Sequence, residues 1–423
     1  MSTRQFHTKL IHILRGGAIV ISTTFLLLTN TMQVAALTNN PTATGKISFT
    51  FDDGLSTALT NAAPTLAKYG FSGTEYVITG CVGTTGTCAA DPTTSYMTWD
   101  QIQTLKSTYG WEIGSHSATH PQLATDGLTS AQVDKELADS KTALAAHGFD
   151  ATAFASPYGD YSPTTLALIS KYYTSHRGFW DIGQNTWPYN DSLVYVQQVQ
   201  GGVRVNTVKK YIDQAKKNKT WLVLVFHNIK DKASTSPDDY EYSTSNLSQI
   251  AAYAKTVGLP ASKMSENLVT SDTDLIPNST FDQGITNGWT TDATTQVKLN
   301  TESKGSYPSP TNSIELTATT KNVHLFSPKV AVNASTTYLY KSFLNVERLS
   351  SGEVGYYIDE YDSNGTWTSG QYKKAERSVF VDTMNFTYKP TSTKVAKASL
   401  QIIVSANSNI KAYVDNVQMF PLN

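Results

Sequence analysis

From residue 46 onward the hydrophobic pattern switches repeatedly between two periods. Lys46-Ile47-Ser48-Phe49-Thr50-Phe51 alternates apolar and polar positions, which predicts a strand, and the strand ends at Asp52-Asp53-Gly54. Residues 56–69 then repeat at helical spacing, with Leu59, Ala63, Leu66 and Ala67 on one side and Gly70 as a stop. Residues 74–78 read as the second strand. Residues 98–109 are helical, with Trp99, Ile102 and Leu105 on one face, and 111–114 form a short strand that ends at Ser115-His116. The alternation continues with a helix at 129–147, a strand at 151–155 and a helix at 163–172. In that last helix Ser162 is placed to cap and proline occupies the first turn. A strand begins at 173, a helix spans 205–218, and Trp221-Leu222-Val223-Leu224-Val225-Phe226 is an unbroken apolar strand that delivers His227. Such a run fits a strand covered on both faces. A helix at 247–257 and a short element at 264–269 complete this half.

Strands alternating with helices at this spacing predict a parallel sheet. The chemically capable residues all follow strands: Asp52 and Asp53, His116 and His120, Tyr158, and His227. Groups drawn from at least four strand ends favour a (β/α) barrel, whose sites lie at the C-terminal face, over an open doubly wound sheet with one switch point. After Pro277 the pattern changes to short alternating segments separated by Gly, Asn, Ser and Pro, such as 312–317, 337–343, 354–361, 399–405 and 410–419. This predicts an all-β sandwich. The organisation is therefore an α/β domain at 44–270, a linker at 271–277 and a β-sandwich at 278–423.

The chain has 423 residues, which suits two domains each with its own core. Charged residues make up 16% and the net charge is -1, so the basic field that a nucleic-acid binder needs is absent. Many Thr, Ser, Asn and Tyr residues suit a neutral polar ligand such as a sugar. The first residues add a location. Arg4, His7, Lys9 and Arg15 precede an apolar run from Ala18 to Leu28, and Val34-Ala35-Ala36 offers small residues at a signal-peptidase spacing. This predicts a signal peptide over 1–36, a linker at 37–43, and a secreted or cell-surface protein with no integral membrane segment after cleavage. An uncleaved anchor is the alternative, but the run is short of the roughly 20 apolar residues that cross the hydrocarbon. The two cysteines, Cys81 and Cys88, then meet oxidising surroundings and are expected to form a small local disulfide.

Asp52-Asp53 at a strand end can turn both carboxylates into one cleft, where one binds a metal and the other takes a proton from water. His116 and His120 stand at i and i+4; in a locally helical segment both imidazoles would face one ion. Ser117 and Ala118 exclude the HExxH pattern of zinc peptidases. A carboxylate with two imidazoles is a catalytic zinc set that leaves positions open for water and substrate. His227 can donate a proton to a leaving amine.

These motifs together resemble the signatures of the NodB-type polysaccharide deacetylases, carbohydrate esterase family 4. Thr50-Phe51-Asp52-Asp53-Gly54 is similar to the first, His116-Ser117-Ala118-Thr119-His120 to the second, Phe154-Ala155-Ser156-Pro157-Tyr158-Gly159 to the third, and Leu224-Val225-Phe226-His227 to the last. The resemblance implies a distorted (β/α) barrel of the NodB type. It implies a metal, usually zinc though another divalent ion is possible, on Asp53, His116 and His120. It implies Asp52 as general base, the Tyr158 backbone N–H as an oxyanion donor and His227 as general acid. The sequence departs from the family in two places. Ala155 stands where an arginine often braces the catalytic aspartate, a variant similar to a branch that includes poly-N-acetylglucosamine deacetylases. The fourth signature is replaced by Ser175-His176-Arg177-Gly178-Phe179-Trp180-Asp181, leaving Arg177 and Asp181 as alternatives for the brace.

Residues 278–423 resemble jelly-roll carbohydrate-binding modules through Asn278-Ser279-Thr280-Phe281-Asp282, Gly288-Trp289 and Tyr413-Val414-Asp415-Asn416-Val417. Trp289, Trp367, Tyr357 and Tyr372 are the candidates to stack on sugars. The expectation is a monomeric enzyme with a carbohydrate-polymer substrate and no nucleic-acid partner, removing N-acetyl groups from poly-N-acetylglucosamine, a chitin-like polymer or peptidoglycan. An O-deacetylase such as an acetyl xylan esterase uses the same chemistry and is not separated by sequence. A catalytically silent glycan-binding protein is the third class, and the complete Asp/Asp/His/His/His set argues against it.

Overall fold

The computed structural model describes residues 44–86, 88, 93–268, 274–301, 312–318, 320–406 and 409–422. The segment read as a signal peptide and its linker, 1–43, and residues 271–273 of the linker at 271–277 lie outside the described residues. No helix among the described residues is long and apolar enough to cross a membrane.

The first half is built on seven parallel strands: β1 (Lys46–Phe51), β2 (Thr74–Val77), β3 (Glu112–Ser115), β4 (Ala153–Ala155), β5 (Ser175–Arg177), β6 (Gln197–Gln198) and β7 (Trp221–Phe226). They lie in the order β5-β4-β3-β2-β1-β7-β6. Strands β1 and β7 pair along their full length, Lys46 opposite Trp221 through Phe51 opposite Phe226. All six residues of β7 are buried, as its unbroken apolar sequence requires of a strand covered on both faces. Helices α1 (Ala63–Ala67), α2 (Trp99–Tyr109), α3 (Ser130–Ala146), α4 (Pro163–Ile169), α5 (Val205–Asn218) and α6 (Thr244–Val257) follow the strands. Thr98 and Thr129 each begin a helix with a capping box completed by Gln101 and Gln132. The element before α1 differs from the simple helix expected over 56–69: residues Ala58–Ala62 are π-helical. Inside that stretch the Asn61 amide donates to Ile229 O at 2.6 Å.

The ring is distorted and incomplete, because β5 and β6 do not pair. The connection between them closes the gap irregularly. His176 N donates to Asp191 O at 2.7 Å, Val194 N donates to His176 O at 3.0 Å, and Ile182 bridges Val196. A two-stranded parallel pair, β8 (Asn228–Lys230) with β9 (Glu241–Ser243), follows β7. Because the seven strands are parallel, their C-terminal ends share one rim.

The second half is antiparallel throughout. One sheet runs β10-β13-β19-β16-β17, that is Thr290–Thr291, Val323–Phe326, Lys397–Val404, Val354–Tyr361 and Trp367–Glu376, with β14 (Val330–Ala331) also on β19. The other runs β11-β12-β20-β15-β18, that is Val297–Asn300, Ser313–Thr317, Lys411–Leu422, Thr337–Arg348 and Phe380–Tyr388. Their apolar faces meet in a core that includes Ile314, Leu325, Leu344, Ile358, Leu400 and Val414. Trp289 belongs to that core rather than to a sugar-binding surface. It is 3% exposed, its ring lies 4.7 Å from that of Phe281, and its indole N–H donates to Pro277 O. Trp367 and Tyr372 on the edge strand β17 are more than half exposed, and Tyr357 is half-buried.

Candidate active site

Six strand ends meet in one pocket of about 540 Å³, lined by Asp52, Asp53, His116, His120, Ser156, Tyr158 and His227 together with Ile78, Cys88, Tyr96, Gln122, Gly159, Phe179, Trp180 and Tyr240. Every residue singled out in the sequence as catalytic or metal-binding is therefore brought to the same cavity. Cys88 is bonded to Cys81, so the expected disulfide fixes part of the wall.

Asp53, His116 and His120 converge. Their donor atoms lie within 4.8 Å of one another. Asp53 Oδ1 is 3.5 Å from His116 Nε2 and 3.6 Å from His120 Nε2, and the two ring nitrogens are 3.2 Å apart. A tetrahedral ion with bonds of about 2.0–2.1 Å would require donor separations of about 3.3–3.4 Å, so the donor set fits one small divalent cation. The tautomer fits as well. His116 Nδ1 lies 2.8 Å from Ala155 O, which fixes the proton on Nδ1 and leaves the Nε2 lone pair directed at the cluster.

The two histidines do not converge by way of a helix. The 116–120 segment is a loop in which Ser117 and His120 have φ of 66° and 67°. Asp53 and Tyr158 share the left-handed region at 79° and 58°. Such conformations persist in non-glycine residues only where their surroundings impose them. Two carboxylates do so here, and neither was anticipated from the sequence. Glu136 of α3 accepts from Ala118 N and Thr119 N at 3.1 and 2.8 Å and from the Thr119 hydroxyl at 2.7 Å. Glu75 of β2 is fully buried and accepts from Gly54 N at 2.9 Å, holding the Asp-Asp-Gly turn.

Asp52 stands beside the three-donor cluster without belonging to it. Its Oδ1 pairs with Arg177 Nη2, and its Oδ2 lies 3.8 Å from His227 Nε2. Arg177 is fully buried, its guanidinium 4.5 Å from the centre of the Tyr76 ring. It occupies the bracing role left open by Ala155. Asp181 does not, since it accepts from the Tyr161 hydroxyl at 2.8 Å. Burial alone pushes the Asp52 carboxyl up, but its neighbours, the Arg177 guanidinium foremost, outweigh it and hold the group below the usual carboxylate range. Burial pushes His227 down, partly opposed by Asp52, so the free imidazole is neutral near pH 7. Its ring packs against Phe179 and Tyr240, at 5.6 and 4.9 Å between centres.

The preceding residue of β5 organises the other wall. His176 Nδ1 lies 2.9 Å from Ser192 O, so its Nε2 accepts from the Ser156 hydroxyl at 2.9 Å. This anchors the Ser156-Pro157-Tyr158-Gly159 turn. The Tyr158 ring covers His120 at 4.5 Å, and its carbonyl accepts from the Trp180 indole at 2.9 Å.

The titration of the donor set gives a prediction. Burial, reinforced by the charge of Asp52 and opposed by His116, pushes Asp53 up to about 6. Burial and the neighbouring His116 push His120 down to about 3. Above pH 6 both groups offer free lone pairs; as pH falls through 6, a proton competes for Asp53 while His120 stays neutral. Zinc affinity measured by equilibrium dialysis should therefore be level at neutral pH and fall about tenfold per pH unit below 6. A flat profile from pH 7 to 4 would contradict the assignment of Asp53.

The model of the polysaccharide deacetylase family matches residues 39–175. The putative polysaccharide deacetylase YxkH of Bacillus subtilis (strain 168) is 32% identical over 123 residues, 29% of this chain. The chain spans 40% of that relative's length. Among solved structures, the Streptococcus pyogenes deacetylase PplD in complex with acetate is 26% identical with a TM-score of 0.31, covering 35% of this chain and 62% of that one. A structure described as family 16 carbohydrate-binding module 2 is 21% identical with a TM-score of 0.28, covering 35% of this chain and 99% of its own. The matched segment contains Asp52, Asp53, His116, His120 and Tyr158 and stops short of Arg177 and His227. The likeness to the polysaccharide deacetylase family therefore lies in residues 39–175, about a third of the chain.

Proposed function

We propose that this protein is an exported, metal-dependent enzyme that removes N-acetyl groups from an N-acetylglucosamine-containing polysaccharide and releases acetate. The observation that carries the proposal is one pocket holding two separate devices. The first is a cation-binding trio of Asp53, His116 and His120; the second is an arginine-paired carboxylate, Asp52, within 3.8 Å of an imidazole. Export rests on the basic start, apolar run and small-residue site at the N-terminus.

A divalent cation, zinc by the character of its donors, supplies the positive charge that polarises an acyl carbonyl and makes water easier to deprotonate. The chain's own groups do the rest. Asp52 Oδ2 accepts a proton from water as its oxygen forms a bond to the acetyl carbon. The Tyr158 amide donates to the resulting oxyanion. Pairing with Arg177 favours ionised Asp52, so the accepted proton is passed on to His227 Nε2. His227 delivers it to the sugar nitrogen as the C–N bond breaks. An amine is a poor leaving group without that proton, and this favours a dedicated imidazole. The test is acetate release from a panel of glycans bearing N-acetyl or O-acetyl groups. N-acetylglucosamine polymers should be the preferred substrates, and His227→Ala should lose far more activity on N-acetyl than on O-acetyl substrates. Equal loss on both would remove the proton-donor role.

A further inference from the structure

The sandwich touches the first half through one face of a strand pair. Tyr338 to Leu344 of β15 are all buried, so both faces of that strand are covered. Tyr338, Tyr340 and Leu344 enter the core of the sandwich, whereas Phe343 enters the core of the first half. Lys341 shares the face of Phe343, and the register places Asn385 and Thr383 of β18 opposite Lys341 and Phe343. Three of these four residues hold a single stretch of the first half. Lys341 forms an ion pair with Asp191 in which both side chains are largely buried, the hydroxyls of Thr383 and Ser192 are 2.6 Å apart, and Asn385 Nδ2 donates to Tyr189 O at 2.8 Å.

That stretch lies in the connection that fills the gap between β5 and β6, and it grips His176 of β5. Its backbone bonds His176 on both sides, through Asp191 O and Val194 N. The ring is held as well, with Nδ1 at 2.9 Å from Ser192 O and Nε2 at 2.9 Å from the Ser156 hydroxyl. Burial pushes His176 down to about 3, so at neutral pH the ring offers one donor and one acceptor, and both are used. Ser156 opens the turn that carries Tyr158, and its own N–H donates to Arg177 O at 3.1 Å. Lys341, Thr383, Ser192, His176 and Ser156 are all buried, which shields the series of bonds from water.

We propose that the β-sandwich positions the catalytic turn: Lys341 and Thr383 fix Asp191 and Ser192, these fix His176, and His176 holds Ser156 so that the Tyr158 amide is aimed at the oxyanion. His176 is a positioning residue, since both of its ring nitrogens are engaged and it is not among the residues that line the pocket. Tyr158 needs such a brace, because a non-glycine residue at φ of 58° keeps that conformation only where its surroundings impose it. The inference rests on the oxyanion role proposed for Tyr158 above. In this arrangement the second half serves the chemistry in addition to any glycan it binds.

The test is a double-mutant cycle in the full chain, read in kcat and KM for acetate release from one N-acetylglucosamine oligomer. Lys341→Met and Ser156→Ala should each lower kcat about tenfold and change KM less than about twofold, as expected of a misplaced group far from substrate contacts. Because both cut one series of bonds, the double variant should lose no more than the worse single variant, where independent sites would give a product of roughly a hundredfold. Thr383→Val should lower kcat in the same way and Thr383→Ser should restore it, which keeps the test open if Lys341→Met does not fold. A second readout needs no turnover. The Trp180 indole N–H donates to Tyr158 O, so its proton–nitrogen NMR signal reports the turn and should shift in Lys341→Met and Thr383→Val. Unchanged kcat in both sandwich variants, losses that multiply, or an indole signal unmoved in both would overturn the brace while leaving the enzymatic reading intact. A shifted signal in a protein that releases acetate from no glycan sinks that reading and keeps the brace.

Discussion

Asp52→Asn should keep its metal at the wild-type level and lose about 100-fold or more in turnover. The two parts of that result come from the geometry. Asp52 is outside the Asp53, His116 and His120 donor set, so the cation has nothing to lose. It faces His227 Nε2 at 3.8 Å and Arg177, so the change removes the one carboxylate placed to accept a proton beside the cluster. Asn retains a side-chain oxygen for Arg177 but cannot take up a proton at neutral pH. Metal content by elemental analysis, beside kcat on one acetylated oligosaccharide, separates the two parts. His116→Ala supplies the contrast and should lose metal and activity together. Near wild-type turnover in Asp52→Asn would show that the base is another group.

Arg177→Leu should be the most destabilising single change at the site. Arg177 and Asp52 are both buried, and removing one partner of a buried pair leaves an uncompensated charge, at a cost of about 3–5 kcal/mol. The pH dependence has a definite sign. The folded-state pKa of Asp52 is depressed, so the stabilisation from the pair is present above the ordinary carboxylate pKa and is lost as pH falls through the lower folded value. The wild-type Tm advantage over Arg177→Leu should thus be large at pH 7 and shrink in acid. A variant that unfolds like wild type at pH 7 would mean that the pair contributes nothing net. Activity should fall with it, because the freed carboxyl moves up in pKa and is less often ionised.

The regular elements could be read closely from the sequence where a single period governs them. The helix at Val205–Asn218 and the strand at Trp221–Phe226 match the expected spans residue for residue, because one has a clean helical stripe and the other an unbroken apolar run. The polar strand Trp367–Glu376 was not apparent. It is an edge strand with mostly exposed or half-buried positions, so no alternation marks it. Trp289 was misread for the converse reason: a tryptophan beside a glycine looks the same whether it covers a core or meets a sugar.

In the site, residue identities could be read and residue supports could not. Asp52, Asp53, His116, His120 and His227 announce themselves at strand ends, but the backbone that aims them depends on partners far away in sequence. Arg177 pairs with an aspartate 125 positions earlier. It is one of only two arginines between residues 44 and 270, a scarcity that could have favoured it over Asp181. Glu75 and Glu136 carry no motif, and only the assembled sheet reveals that each holds a left-handed turn in place.

The central claim is that acetate release depends on a cation held by Asp53, His116 and His120. The direct measurement is acetate release by the full chain from an N-acetylglucosamine oligomer before chelation, after chelator treatment and dialysis, and after zinc is restored. The account predicts activity at first, its loss with the metal, and its recovery with zinc in the wild type but not in His116→Ala. Undiminished acetate release from metal-free protein would contradict it.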